Sequence, residues 1–459
     1  MKILFATSEA NPFIATGGLA DVSQDLPRAI SQKGHDIRIV LPYYKSIKEK
    51  FESTLTYLTN FTVILSWRQL YCGVFHGEVN GVNYYFLDNE YYFNRSGTYG
   101  DFDDCERFAF FSKAILDFIN AINFFPDILH ANDWQTALTI PYIKKIYYKD
   151  ERYKRIKTLF TIHNVMYQGR YGTAVFHDIL GLPSECKSDL MLDGDINLMK
   201  GAIQTSDIVT TVSQSYRNEL LRGENSYRME IPLSLRNERF IGIINGIDYK
   251  ESDNFLNKAK SKKDLQAKLN LNKSNTPMIA MISRLCEQKG MSIIKGALEN
   301  LLNSVDFQFV VLGTGEYMDE EFFKYLERIH PEKVRAIIKF DKNIANEIYK
   351  GTDMLLMPSK TEPCGISQMF ACAFGTIPIV RETGGLRDTI KCYDPNFTER
   401  TNGFSFYEYS AKALEEAITR AFALYYNQEE WNKLVSRAKA TDFSWENSAK
   451  KYIEVYESL

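Results

Sequence analysis

Residues 354–390, MLLMPSKTEPCGISQMFACAFGTIPIVRETGGLRDTI, constrain the fold more than any other stretch. Met354 to Met357 is a short apolar run closed by Pro358, whose missing N–H ends strand pairing. A polar turn, a short amphipathic helix, the apolar run Ile377 to Val380 and a Gly-Gly turn opening another helix follow. That order is a βαβ unit, which belongs to a parallel sheet covered by helices. Ser359 to Cys364 then lies at the carboxyl end of a strand, where open α/β sheets bind ligands. Thr383-Gly384-Gly385-Leu386, at the next strand end, is expected to offer free backbone N–H groups at a helix start, an anion site. Glu362, wedged between Thr361 and Pro363, is poorly placed for a solvated ion pair. Cys364 by itself reads as a small buried hydrophobe before it reads as a nucleophile.

The alternation starts at the N-terminus. Lys2 to Ala6 is a short strand, Thr16-Gly17-Gly18 a turn, Leu19 to Gln32 a helix stopped by Gly34, and Ile37 to Leu41 the next strand. The loops ATGGLADV and ETGGLRDT are alike, which suggests two Rossmann-like halves, although Gly-Gly can also do no more than tighten a turn. Residues 51–100 read as a β-rich insertion ending in a polar loop, NRSGTYGDFDD, that carries Tyr99. Asp127 to His130 is a strand end followed by Asp133, either a helix N-cap or a carboxylate placed for a purpose. His163 ends the strand Leu159 to Ile162, at the same sheet edge as Asp133 in a doubly wound order. Strands at 208–213 and 240–244 follow, the latter ended by Asn245-Gly246. Lys258 to Asn275, rich in Lys, Asn and Ser, reads as an exposed boundary segment.

Beyond it, the strand Met278 to Ser283 runs into Arg284 and Lys289, a bidentate fork and a point charge that can meet one phosphate-sized anion. Gly313-Thr314-Gly315 is only a weak sign of nucleotide binding. Ala411 to Tyr425 and Ser448 to Leu459 close the chain as helices. Together these residues imply phosphate handling without a metal or other cofactor. Arg284, Lys289 and the Gly384-Gly385 turn would neutralise a leaving diphosphate, while Asp133 and Glu362 would hold sugar hydroxyls or steady an oxocarbenium-like centre.

With 459 residues, a net charge of −3 and 45% hydrophobic content, the chain can fill two or three domains, and nothing in its charge asks for nucleic acid or a membrane. The seven cysteines are scattered without a CxxC, which argues against a disulfide framework and a zinc site and for a reducing compartment. The start MKILFATSEANPF has no signal-peptide core, so a soluble, cytoplasmic protein is expected, or a plastid one if the source is a plant or alga.

The motifs ATSEANPFIATGGLADV, HANDWQT, TIHNVMYQG, TVSQSY, NGID, SRLCEQKG, SKTEPCGISQ and TGGLRDT resemble, in order and over nearly the whole chain, those of bacterial glycogen synthases and plant starch synthases. The resemblance implies a GT-B fold, two Rossmann-like doubly wound domains facing across a deep cleft. It implies retaining transfer of glucose from a sugar nucleotide, usually ADP-glucose, to the non-reducing 4-hydroxyl of an α-1,4-glucan such as glycogen or a maltooligosaccharide. The domains would span 1–244 and 245–440, with 441–459 packing back on the first. Asp133, His163, Arg284, Lys289 and Glu362 would be catalytic. Gly17, Gly18, Asn245, Arg284, Lys289, Glu362, Cys364, Gly365, Thr383, Gly384 and Gly385 would bind the donor, and Asp21 and Tyr99 would flank the acceptor. The family's first loop normally reads Lys-Thr-Gly-Gly-Leu, whereas Ala15 stands here at the lysine position. The segment Ser226 to Phe240 replaces the usual Gly- and Leu-rich stretch before NGID. A GT-B transferase using UDP-glucose or a small acceptor, and a weakly active glucan-binding scaffold, are the alternatives that these departures leave open.

Overall fold

The apolar runs pair in parallel within two main sheets, seen in a computed structural model that describes residues 1–249 and 257–459. The chain divides into one unit of Met1–Gly246 with Trp445–Leu459 and a second of Ile247–Ser444.

In the first unit the strands are β1 (Lys2–Ala6), β2 (Asp36–Pro42), β3 (Thr56–Leu65), β4 (Arg68–Val79), β5 (Val82–Asp88), β6 (Ile128–Asn132) and β7 (Lys157–Ile162). A small separate sheet holds β8 (Arg170–Tyr171), β9 (Met191–Leu192) and β10 (Asp195–Asn197); β11 (Ile208–Thr211) and β12 (Phe240–Gly242) return to the main sheet. The main order is β12-β11-β7-β6-β1-β2-β5-β4-β3, parallel from β12 to β5 and antiparallel beyond. The β-rich insertion expected over 51–100 therefore extends this sheet: β5 pairs in parallel with β2, and the hairpin β3–β4 forms its outer end. Ile3, Leu4 and Phe5 are fully buried, as central strands covered on both faces must be. The helix Asp104–Ala121 is buried nearly all round; its Arg107 donates to the Tyr92 carbonyl and pairs with Asp101 and Asp104, so no charge is left alone in the core. The closing helix Trp445–Glu457 lies against the helix Gly18–Gln32 and reaches the sheet through Tyr456, whose hydroxyl is 2.7 Å from Nδ1 of the buried His130.

The second unit contains β13 (Met278–Ile282), β14 (Gln308–Leu312), β15 (Val334–Ile337), β16 (Met354–Met357), β17 (Ile377–Arg381) and β18 (Phe404–Phe406), all parallel in the order β15-β14-β13-β16-β17-β18. Side chains alternate between two cores. Ile279, Phe309, Val311 and Leu356 meet Leu298, Leu301 and Ile418 on one face, while Met278, Val310 and Leu355 meet Leu265, Ile348 and Phe374 on the other. Both faces are thus apolar, which makes the strands continuous hydrophobic runs.

The segment expected to be an exposed boundary, Lys258 to Asn275, is mostly exposed, but it forms the helix Lys258–Lys268, which buries Lys262, Leu265 and Gln266. Lys262 is buried along its stem and its Nζ reaches Asp353 Oδ2 at 2.6 Å and the Thr276 carbonyl at 2.6 Å, so a cationic composition here does not mean exposure.

Candidate functional site

Among the parallel strands of each main sheet, chain order reverses direction at one place, between β1 and β6 in the first unit and between β13 and β16 in the second. Loops diverging from such a point leave a crevice at the strand ends, and the candidate residues of each unit gather there.

In the first unit, the loop after β1 folds Glu9 under the turn before helix Gly18–Gln32. The buried Glu9 carboxylate accepts from the Thr16 amide, from Thr16 Oγ1 at 2.7 Å and from the Gly17 amide at 3.3 Å. Tyr99 donates to Glu9 Oε1 at 2.8 Å and shares a 2.8 Å bond with Ser8 Oγ, so the residue expected beside the acceptor braces this loop with its hydroxyl. Asp21 accepts from Asn11 Nδ2 at 2.6 Å. Ala15, Thr16, Gly17 and Gly18 are exposed. At Gly17 φ is −162°, which any residue adopts, and a Cβ there would meet nothing within 4 Å. Neither packing nor backbone conformation within the chain requires a glycine at this position.

At the end of β6, Asp133 sits at φ 55° and ψ 179°, a conformation that strains any residue but glycine. It makes no cap bond; its Oδ1 accepts from the His163 amide at 2.8 Å and its own amide donates to the Thr161 carbonyl at 3.0 Å, so β7 holds the strained turn. Burial raises its carboxyl to about 7, against the opposing pull of the His163 and Asn164 amides. His163 is half-buried, and desolvation depresses it to about 3, so it is neutral at physiological pH. Asn132 Nδ2 donates to the Ala6 carbonyl at 3.0 Å, which turns its Oδ1 towards His163 Nε2 at 2.9 Å. Nε2 therefore carries the imidazole proton and Nδ1 is left as the acceptor. Gln168, which the sequence reading passed over, fixes the loop behind His163 by donating to the Val165 and Tyr227 carbonyls at 3.0 Å each. That ties the Ser226 to Phe240 segment to the site. At the end of this unit the Asn245 side chain is buried, and its Oδ1 has no hydrogen-bond partner among the described residues.

In the second unit, the loops after β13 and β16 interlock. The Lys360 amide donates to the Gln288 carbonyl at 2.9 Å, and Gly290, at φ 89°, lies so close under Pro358 that a Cβ would strike its carbonyl oxygen. Lys289 Nζ is thereby brought to 2.6 Å from Glu362 Oε2, which also accepts from Ser359 Oγ at 3.0 Å. Sequence position makes Glu362 a poor surface ion-pair partner; the structure supplies a shielded one, with side-chain exposures of 18% for Lys289 and 8% for Glu362. Arg284 is exposed and has no ion-pair or hydrogen-bond partner for its guanidinium among the described residues. The GxG at 313–315 has a structural reason: a Cβ at Gly313 or Gly315 would strike the Ser283 or Leu285 carbonyl, and the Leu285 amide donates to Thr314 O at 2.9 Å. Those glycines support the Arg284 loop.

The Thr383–Leu386 turn differs from expectation. Its amides are not a free row: Thr383 donates to Arg381 O at 2.9 Å, Gly385 to Glu362 O at 3.1 Å, and Leu386 to Thr383 O at 3.1 Å. A Cβ at Gly384 or Gly385 would strike the carbonyl of Glu362 or Cys364, so here Gly-Gly admits the Glu362 loop. The likeness of the two Gly-Gly loops is one of sequence, since the walls that enclose Gly384 and Gly385 have no counterpart around Gly17. Cys364 is buried, and Gly365 sits at φ 73° against Gln368. Gln368, fully buried, sets its Nε2 3.2 Å from Cys364 O, 3.0 Å from Gly365 O and 3.1 Å from Thr389 Oγ1, locking the two loops together.

The family model for the starch synthase catalytic domain matches residues 2–234, and that for group 1 glycosyl transferases matches 262–440. The chain belongs to the glycogen and starch synthase family. It is 45% identical to the glycogen synthase of Clostridium novyi, covering 100% of this chain and 99% of that protein, and 43% identical to that of Bacillus subtilis, covering 100% and 98%. The catalytic domain of starch synthase IV from Arabidopsis thaliana, solved bound to ADP and acarbose, superposes with a TM-score of 0.90 at 31% identity over 100% of this chain and 99% of that one. The fold is thus GT-B and the chain is a glycosyltransferase. Among the described residues no helix is long and apolar enough to cross a membrane.

Proposed function

We propose that this glycosyltransferase extends an α-1,4-glucan, moving glucose with retention from ADP-glucose to the non-reducing 4-hydroxyl. The observation that carries the assignment of residues is the Lys289–Glu362 pair, with Lys289 on the same loop after β13 as Arg284, whose guanidinium has no partner among the described residues. A cation held by a carboxylate and a second cation with no partner among the described residues form a site that a diphosphate can complete, since each phosphate oxygen accepts from one of them. Arg284 and Lys289 take the donor diphosphate and neutralise it as it leaves, which is why no metal is assigned to the step. Glu362, once Lys289 turns to phosphate, accepts from hydroxyls of the donor glucose, and Cys364 with Gly365 form the wall beside it. Thr383, Gly384 and Gly385 hold that wall in place: the Thr383 and Gly385 amides are already engaged, and Gly384 packs against the Glu362 carbonyl.

In the first unit, Asp133 and the neutral His163 serve the sugar. Nε2 of His163 is fixed by Asn132, so the ring has one orientation in which to meet a hydroxyl. The open space at Gly17 accommodates substrate, Gly18 continues that turn, Asp21 and Tyr99 support it, and the unsatisfied Asn245 Oδ1 accepts from a bound hydroxyl. The ADP in the starch synthase IV structure supports adenine as the donor base, and the acarbose there supports a glucan acceptor.

The test is nucleotide release from ADP-glucose and from UDP-glucose, each with glycogen, with a maltooligosaccharide and with no acceptor. ADP release that depends on glucan is expected. UDP release in its place, or hydrolysis indifferent to glucan, would refute the donor or the acceptor assignment.

A further inference from the structure

The outer edge of the first unit's sheet has a composition that edge strands seldom have. β3 closes the sheet and pairs only with β4. Residues 53–67 contain no charge, no proline and no glycine, in a chain of which 25% is charged. Exposed edges are ordinarily protected by lysine, proline, bulges or a covering segment, because their unpaired N–H and C=O groups template further strands. Only one such device occurs here, a register shift between Tyr57 and Thr59, and it leaves Thr59 to Leu65 regular. Among the described residues, the backbone of that stretch makes no hydrogen bond to any segment other than β4.

The edge is also held firmly. Val63 and Leu65 are fully buried on the inner face. At the hairpin tip, Trp67 Nε1 donates to Asp178 Oδ1 at 3.0 Å and Arg68 donates to the Asp178 carbonyl at 2.6 Å. On the outer face Asn60, Thr62 and Ile64 are exposed, with the exposed Tyr71 opposite Thr62.

We propose that β3 pairs antiparallel with β3 of a second copy of this chain, about a twofold axis near Thr62. Two nine-stranded sheets then become one. A twofold contact sets each residue against its symmetry mate's neighbourhood, so any charge near the axis would face its own sign, and this row has none. With the axis at Thr62, the two Thr62 hydroxyls face each other and Asn60 faces Ile64, pairs that support an antiparallel ladder. The neutral, self-matching row favours a second copy over a charged partner.

Sedimentation equilibrium of the full chain tests this. Wild type should show a monomer–dimer equilibrium in the micromolar range, and Thr62→Lys should raise its dissociation constant by at least about tenfold without moving the thermal midpoint measured at a concentration where wild type is monomeric. Thr62→Ser should leave the dimer intact, and Ile64→Glu should repeat the effect of the lysine. A wild type monomeric throughout, or a dimer that both charged variants leave intact, would overturn the proposal. So would a monomer that glycogen retards in an affinity gel through Tyr71, since the face would then belong to a glucan chain.

Discussion

Removing either partner of the Lys289–Glu362 pair should have opposite effects on nucleotide binding. At an effective dielectric of about 20, unit charges 4 Å apart attract by about 4 kcal/mol, and these groups are closer, at 2.6 Å. With 18% and 8% of the side chains exposed, loss of one partner should cost about 3 kcal/mol, the low end for a buried pair. Lys289→Met leaves Glu362 uncompensated except by Ser359, and at 2–4 °C per kcal/mol the second unit's melting midpoint should fall by about 6–12 °C. The same variant loses a phosphate contact, so ADP affinity measured by calorimetry should drop roughly a hundredfold, the equivalent of about 3 kcal/mol. Glu362→Gln keeps the shape and an acceptor but removes the anion that competes with phosphate for Lys289. ADP should then bind as tightly as to wild type or more tightly, while glucose transfer falls by about a hundredfold. If Glu362→Gln weakens ADP as much as Lys289→Met does, the pair acts as one structural unit and the division of roles is refuted.

The raised Asp133 carboxyl predicts a pH effect of defined sign. Its native value near 7 lies above the usual carboxylate range, so between pH 7 and about 4 the native chain holds a proton that the unfolded chain lacks; wild type should gain on Asp133→Asn as pH falls, by at most about 1.4 kcal/mol per pH unit in urea denaturation. His163 is depressed to about 3, so an inflection in kcat/KM above pH 5 should survive its replacement by Gln and vanish in Asp133→Asn. Gly17→Ala should leave the melting midpoint unchanged while reducing transfer, whereas Gly385→Ala should lower the midpoint through collision with the Cys364 carbonyl. Ala15→Lys, on the exposed turn above Glu9, should lower KM for ADP-glucose by about tenfold, the worth of one screened contact of about 1.4 kcal/mol, as read by initial rates.

The sequence by itself determined the parallel strands of both units, because apolar runs such as Ile377–Arg381 and Met354–Met357, each ended by a turn, have no other stable use. It also placed Asp133, His163, Arg284, Lys289 and Glu362 at strand ends, since strand ends are set by local punctuation. Tertiary structure decided what those residues touch. That Lys289 meets Glu362, that Tyr99 braces Glu9, and that Asn132 fixes the His163 tautomer all depend on loops that diverge at a sheet reversal and meet only in space. The two Gly-Gly turns show the limit most clearly. Their residues are nearly the same, yet Gly17 faces open space and Gly384 and Gly385 face backbone, because a glycine's role is set by what lies across from its missing Cβ, and no local pattern records that. Lys262 was unreadable for a similar reason: a lysine head is buried only where Asp353 and a carbonyl converge on it, and those acceptors come from distant segments of the chain.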